Sequence, residues 1–222
     1  MKICLKSMLL TALLITVAAT QIEAKDNKND EKPNLKKILI LGLKDNIKSD
    51  YYYKELIAEE SGIPQDSLEV VFNRTIAGNI TQSRGGFVQA GNIEKCNNIL
   101  NNITVTGEQD ECTTDLSQVD SQCFRDLLSG TGAEYVLILS RHFLRKQDQP
   151  FNTVFYFVSY SLFNKEKKEI SRGSNYFTTM HLETAEVMKK NSRKTSDKIA
   201  TTVLKLIEQQ STESSNVLLS KN

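Results

Sequence analysis

The chain has 222 residues, of which 39% are apolar and 25% charged, and its 28 basic and 27 acidic side chains give a formal charge of +1. With 10 glycines, 3 prolines and a single long apolar run at the N-terminus, the composition excludes collagen, coiled-coil, polytopic membrane and fully disordered proteins. The small net charge gives no electrostatic reason to expect a nucleic-acid partner.

Residues 1–24 have the pattern of a secretory signal peptide. Lys2 and Lys6 precede an apolar segment of about a dozen residues, Met8 to Ala19. A short polar segment follows it and ends at Ala24. The apolar segment is too short for a membrane span of ~20 residues. We therefore expect a periplasmic or secreted protein, cleaved near Ala24, with no transmembrane span in the mature chain; an uncleaved N-terminal anchor is the alternative.

The mature chain is predicted to contain one folded domain. Residues 25–36 carry almost nothing apolar to bury, which predicts a flexible tether. The hydrophobic patterns extend over residues 37–210, and residues 211–222 are expected to form a frayed tail.

The domain is predicted to open with a β-α-β unit. Lys37 to Leu43 is a continuous apolar run typical of a strand covered on both faces. Ser49 or Asp50 is expected to cap a helix that ends at Gly62. Leu68 to Phe72 is expected to form the second strand.

Residues 73–115 form a looser, Asn-rich excursion. A short strand at 103–106 and a wholly irregular loop are both compatible with the pattern. Loops of this length in compact domains are usually either functional or partly disordered.

Regular patterns return after the excursion. A strand over 154–163 alternates so that Phe155 and Phe157 lie on the face opposite Val154. The elements predicted here are a helix at 116–129, strands at 134–144, 154–163 and 170–182, and a final helix ending near Gln210. The predicted fold class is thus α/β (α+β), with a mixed sheet of about five strands, the order β-α-β-(loop)-α-β-β-β-α, and helices packed on the sheet.

Three cysteines follow the predicted cleavage site. Cys96 and Cys112 flank the Asn-rich stretch, where a disulfide would remove much chain entropy, and we predict that they pair. Cys123 shares a helical stripe with Leu116 and Val119, which predicts a buried thiol.

Few residues indicate a catalytic, metal-binding or recognition site. The two histidines, His142 and His181, lie on or near predicted strands and lack a third metal ligand at a suitable spacing, so no catalytic, metal or cofactor site is expected. Tyr51, Tyr52 and Tyr53 cannot all face the core if they lie on a helix, and an exposed tyrosine among them is a possible recognition surface.

Two segments resemble an exported envelope module. They are Lys37-Ile-Leu-Ile-Leu and Gly132-Ala-Glu-Tyr-Val-Leu, and the hairpin from Val158 to Ile170 is also similar. The module occurs in the N-terminal domain of the Tol translocation protein, in the curli-secretion lipoprotein and in lipoprotein activators of penicillin-binding proteins. The resemblance covers about half of the mature chain and implies a non-catalytic module that binds other envelope components.

The chain departs from these families in three respects. The hairpin lacks their Thr-Gly pair, and the excursion at 73–115 has no counterpart. Cys4 precedes the apolar run, so the lipidation that anchors those lipoproteins is not implied.

The sequence therefore supports two hypotheses. The first is an exported, non-catalytic accessory module that binds an envelope protein. The alternative is a periplasmic or secreted protein that binds a small molecule or glycan through the excursion and the tyrosines. The oligomeric state is open.

Overall fold

The computed structural model describes residues 36–90, 98–109 and 111–219. The predicted signal peptide, the predicted tether except for Lys36, and Cys96 lie outside these residues. The strands are β1 (Ile38–Gly42), β2 (Ile47–Ser49), β3 (Phe87–Gln89), β4 (Thr104–Glu108), β5 (Glu111–Asp115), β6 (Tyr135–Gln147), β7 (Thr153–Asn164) and β8 (Glu169–Thr179). The helices are α1 (Lys54–Ser61), α2 (Leu68–Ser83), α3 (Ser121–Thr131), α4 (Ala185–Asn191) and α5 (Arg193–Leu219).

Six strands form one mixed sheet in the order β3-β1-β6-β7-β8, with β2 paired to β6 beyond the end of β1. The strands β3, β1, β2 and β6 are parallel, whereas β6, β7 and β8 form an antiparallel meander. The strands β4 and β5 form a separate hairpin. The predicted α/β class and mixed sheet are confirmed.

The second predicted strand is wrong, because Leu68 to Phe72 is the beginning of α2. Leu68, Phe72, Ile76 and Ile80 are buried and recur every four residues, which places them on one helical face. A short apolar run fits a strand or a helix equally, and only the continued period identifies the helix. The second strand of the β-α-β unit is instead the three-residue β3, which lies inside the predicted excursion and pairs in parallel with β1.

The helix that follows β1 begins later than predicted. Tyr53 is the N-cap of α1, so neither Ser49 nor Asp50 caps it. Ser49 instead ends β2, a strand that the pattern did not predict, and its hydroxyl donates a 2.7 Å hydrogen bond to a β6 carbonyl. Gly62 ends α1 in the left-handed region (φ 67°), as predicted.

Both faces of the sheet are covered, because successive residues of β1 point to opposite sides. Ile38 and Ile40 pack in one core with α2, α4 and α5. Leu39 and Leu41 pack in a second core with α3. None of the four side chains is more than 3% exposed, as expected for a continuous apolar run.

The hairpin β4–β5 packs on the α3 face of the main sheet through polar contacts. The Thr114 hydroxyl hydrogen-bonds the Ser140 hydroxyl at 2.6 Å and accepts from the Ser161 hydroxyl at 3.1 Å. The Arg141 guanidinium donates to the Gly107 carbonyl at 2.8 Å. Of the two alternatives left open for the excursion, the short strand is present, as β4.

The last helix, α5, covers the opposite face and runs past Gln210 to Leu219. Ile199, Val203 and Ile207 form its buried stripe, as the pattern predicted. Within the described part of the chain, no helix combines the length and apolarity that a membrane span requires.

Candidate functional site

The predicted recognition residues Tyr51, Tyr52 and Tyr53 precede α1 and lie in a turn, so their expected place on a helix is wrong. The Ser49 hydroxyl accepts hydrogen bonds from the backbone N–H groups of Tyr51 and Tyr52 at 3.1 and 2.9 Å, which stabilises the turn. Tyr51 and Tyr53 are exposed and Tyr52 is half-buried. Lys146 Nζ lies 4.2 Å from the centroid of the Tyr51 ring. Two tyrosine rings are thus accessible, and their role in recognition stays a prediction.

A second group of aromatic residues lies on the α3 face of the meander, and we call it the aromatic surface. Its members are Phe143, Arg145, Phe155, Phe157 and Tyr176. The strand register brings them together, since Phe143 pairs with Phe157, Phe157 pairs with Tyr176, and Arg145 pairs with Phe155.

The rings of the aromatic surface contact one another and the arginine. The Tyr176 centroid lies 5.6 Å from that of Phe155 and 5.3 Å from that of Phe157. The Arg145 guanidinium carbon lies 5.0 and 4.9 Å from the Phe155 and Phe157 centroids, within cation–π range. Tyr176 is 54% exposed, whereas Phe143 and Phe157 are each 6% exposed. The surface therefore presents one exposed tyrosine ring on β8 and a half-buried arginine on β6, both packed on the phenylalanines of β7.

The aromatic surface belongs to neither of the two apolar cores found among the described residues. The hairpin β4–β5 covers the adjacent part of the same face, at Ser140 and Ser161, whereas the Tyr176 ring remains exposed. The sequence carried a signal for this surface, namely the alternation that places Phe155 and Phe157 opposite the core-facing Val154. Single-strand periodicity did not identify Tyr176 as their neighbour.

A buried polar group, which we call the amide–imidazole network, joins Asn46, Asn73 and His142. Asn73 Nδ2 donates to the Leu43 carbonyl at 2.8 Å, which fixes the orientation of the Asn73 amide because a carbonyl only accepts. Asn73 Oδ1 then accepts from Asn46 Nδ2 at 3.0 Å and from His142 Nε2 at 2.9 Å. The imidazole therefore carries its proton on Nε2.

Burial determines the protonation of His142. The side chain packs edge-on against Phe72, with ring centroids 5.6 Å apart. Desolvation lowers the pKa of His142 from 6.5 to about 3, so the imidazole is neutral at physiological pH. Its Nε2 is engaged by Asn73, which makes the residue a structural donor in this state.

The two histidines do not converge. His142 lies in β6 and is buried, whereas His181 follows β8 and is exposed. The strand β7 separates β6 from β8, so the two imidazoles cannot share an ion at one sheet edge. No group of three or more metal-ligating side chains occurs in the ranges that the structure describes.

The structure corrects the prediction for Cys123, which is exposed. The stripe used for that prediction began at Leu116 and Val119, but α3 begins only after its N-cap, Asp120. The inward residues of α3 are Phe124 and Leu128.

Cys112 is buried and is a free thiol in the structure. Its predicted partner, Cys96, lies outside the described residues, so their pairing stays a prediction.

Comparison with known proteins finds no matching family model and no matching curated protein. Among solved structures, PelC from Paraburkholderia phytofirmans, described as a dodecamer, is 9% identical, with 72% of this chain and 84% of that chain covered and a TM-score of 0.37. Lipoprotein GNA1162 from Neisseria meningitidis is 11% identical, with 78% and 99% covered and a TM-score of 0.33. The LpoB C-terminal domain from Salmonella enterica is 12% identical, with 64% and 82% covered and a TM-score of 0.27.

The resemblance stated from the sequence is confirmed at this level, because the LpoB domain represents one of the families named for it. All three likenesses combine low identity with a TM-score below 0.5. They assign no activity, ligand or partner to this chain.

Proposed function

We propose that the chain is an exported, non-catalytic accessory module of the bacterial cell envelope, and that it binds a protein partner through the aromatic surface. The observation that carries this proposal is the 54% exposed Tyr176 ring, which, like the Arg145 guanidinium, packs against Phe155 and Phe157. Export rests on the signal-peptide pattern of residues 1–24.

The chemistry of the aromatic surface supports protein binding. Tyrosine, phenylalanine and arginine are enriched at protein interfaces, and tyrosine and arginine dominate binding hot spots. The Tyr176 ring and the Arg145 guanidinium are held by neighbouring rings, so little side-chain entropy is lost when a partner packs on them.

Two more exposed apolar side chains lie at the same end of the meander. Phe151, in the turn between β6 and β7, is 75% exposed, and Met180, directly after β8, is 70% exposed. The pairing of Val154 with Thr179 brings the two segments together. This end of the meander thus combines several large apolar side chains, which supports a binding role.

The experiment compares two exposed tyrosines. Tagged mature chain, in wild-type form and as Tyr176→Ala and Tyr53→Ala, is used to recover partners from solubilised envelope extract. We expect a stoichiometric protein partner with the wild type and with Tyr53→Ala, and a loss of about tenfold or more in recovery with Tyr176→Ala.

The Tyr53→Ala variant is a matched control, because Tyr53 is 63% exposed and lies outside the aromatic surface. Thermal unfolding of both variants verifies that each is folded. If Tyr53→Ala alone loses the partner, docking uses the tyrosine turn before α1 and the proposed surface is wrong. Equal recovery by all three proteins also contradicts a role for Tyr176.

A further inference from the structure

A cleft of about 360 Å³ opens beside the carboxyl ends of β1 and β3, and we call it the β1–β3 cleft. Its volume lies at the lower end of the range for small-molecule sites, roughly 300–1,000 Å³. Its lining is Ile40, Leu41, Gly42, Leu43, Lys44, Glu69, Val70, Asn73, Arg74, Ala77, Gln89, Ala90 and Leu100.

The position of the cleft follows from the connections of the sheet. The chain leaves β1 toward α2, on the face where Ile40 and Ala77 share one core. After β3 the chain reaches Leu100, which shares the opposite core with Leu41 and α3. Adjacent parallel strands whose connections leave on opposite faces create a crevice at their carboxyl ends, which is the usual ligand position in open α/β sheets.

The floor of the cleft has its polar groups already paired. A Cβ on Gly42 would lie 2.3–2.7 Å from three Asn73 side-chain atoms, so the Asn73 amide fills the space above the end of β1. That amide donates to the Leu43 carbonyl and accepts from Asn46 and His142. With Asn73 saturated, the floor offers mainly the apolar surface of its other residues, which suits a hydrocarbon.

The mouth of the cleft is cationic. Lys44 and Arg74 are exposed and have no hydrogen-bond or ion-pair partner among the described residues. The Glu69 carboxylate accepts from Lys54 Nζ at 2.5 Å, and the same ammonium lies 3.2 Å from Asp45. Three cations, Lys44, Arg74 and Lys54, thus face two carboxylates, which leaves a net charge of +1. Among the residues that the structure describes, the Arg74 guanidinium and the Lys44 ammonium are thus available to bind an anion.

We infer that the β1–β3 cleft binds a free single-chain amphiphile with one carboxylate head. The chain lies on the apolar floor, and the carboxylate is bound by Arg74 with Lys44 beside it. The small volume favours one hydrocarbon chain over a two-chain lipid. This site is separate from the aromatic surface, and its failure leaves the proposed protein docking unaffected.

Calorimetric titration with decanoate below its micelle concentration tests the assignment. Decanol supplies the same chain without charge, and acetate supplies the same head without a chain. We expect decanoate to bind saturably at one per chain, decanol roughly tenfold more weakly, and acetate without measurable binding. Decanoate should also raise the unfolding temperature of the protein.

Substitutions of exposed arginines identify the residues that bind the carboxylate head of decanoate. Arg74→Gln should weaken decanoate binding roughly tenfold and leave decanol binding unchanged, and Arg74→Lys should retain part of the affinity. Arg125→Gln, an exposed arginine on α3, is the matched control and should bind decanoate as the wild type does.

Several results would overturn the inference. They are the absence of saturable decanoate binding, equal affinity for decanoate and decanol, and an Arg74→Gln variant with wild-type affinity. Association with phosphatidylglycerol vesicles in the absence of binding to free decanoate would also overturn it, since the site would then recognise a membrane surface.

Discussion

Asn73 connects three parts of the fold at the scale of a single residue. Its amide fills the space beside Gly42, binds the end of β1 and receives the proton of the His142 imidazole. This half-buried amide is costly to replace, because each of its buried partners left unpaired loses about 1–3 kcal/mol. The same amide closes the floor of the β1–β3 cleft.

The depressed pKa of His142 predicts a pH-dependent stability. Because its folded-state pKa of about 3 is below 6.5, the unfolded chain takes up the proton first. The contribution of the neutral His142 imidazole to the free energy of unfolding is complete above pH 6.5 and falls as the pH drops toward 3. Between pH 8 and pH 5 the free energy of unfolding should decrease by about 2 kcal/mol through this residue, as measured by urea denaturation.

The variant His142→Gln keeps an N–H donor and removes the titration, so its unfolding free energy should lack this decrease. The exposed His181 supplies the control, and His181→Gln should keep the wild-type pH dependence. If the unfolding free energy of His142→Gln changed with pH as it does in the wild type, the result would contradict a buried neutral imidazole at His142.

At the scale of elements, the hairpin β4–β5 covers part of the α3 face of the main sheet. Its Thr114 hydroxyl joins those of Ser140 and Ser161 between the hairpin and the sheet. On the same face the Tyr176 ring is 54% exposed and remains available for docking.

Replacing Thr114 tests this attachment. Thr114→Val preserves the shape of the side chain but leaves the two buried serine hydroxyls without this partner, and we expect a loss of about 1–3 kcal/mol in the free energy of unfolding. Thr106→Val, at an exposed position of β4, should change it by less than about 0.5 kcal/mol. Equal effects in denaturant titrations would show that the Thr114 contacts do not attach the hairpin.

Element type was predictable where a pattern ran for long enough. The strands β6, β7 and β8 and the buried stripe of α5 follow from alternation and helical period. The run at Leu68 was too short to distinguish strand from helix, and β2 and β3, with three residues each, carry too little pattern to detect. Cys123 was misplaced because its stripe was counted from residues outside α3.

At the scale of the whole molecule, the sequence predicts export, because residues 1–24 have the pattern of a secretory signal peptide. Expression of the full chain in a bacterial host should yield a protein in the periplasm or medium whose intact mass corresponds to a start at Lys25. The apolar segment that we predict to direct export has no charge between Met8 and Ala19.

Leu13→Arg interrupts that segment and should leave uncleaved protein inside the cell. Asn27→Arg adds the same charge within the predicted tether and should leave cleavage unchanged. Recovery of the full-length wild-type mass in the membrane fraction would instead support the uncleaved anchor.

The sequence by itself determined the α/β class, the meander and the expectation of export, because these depend on local composition and on periods within single segments. Only the tertiary structure decided where residues distant along the chain meet. The register of three strands assembles the aromatic surface, and the order of the strands places the carboxyl ends of β1 and β3 side by side at the cleft. Periodicity along one strand specifies which face a side chain occupies, but strand order and register specify its neighbours.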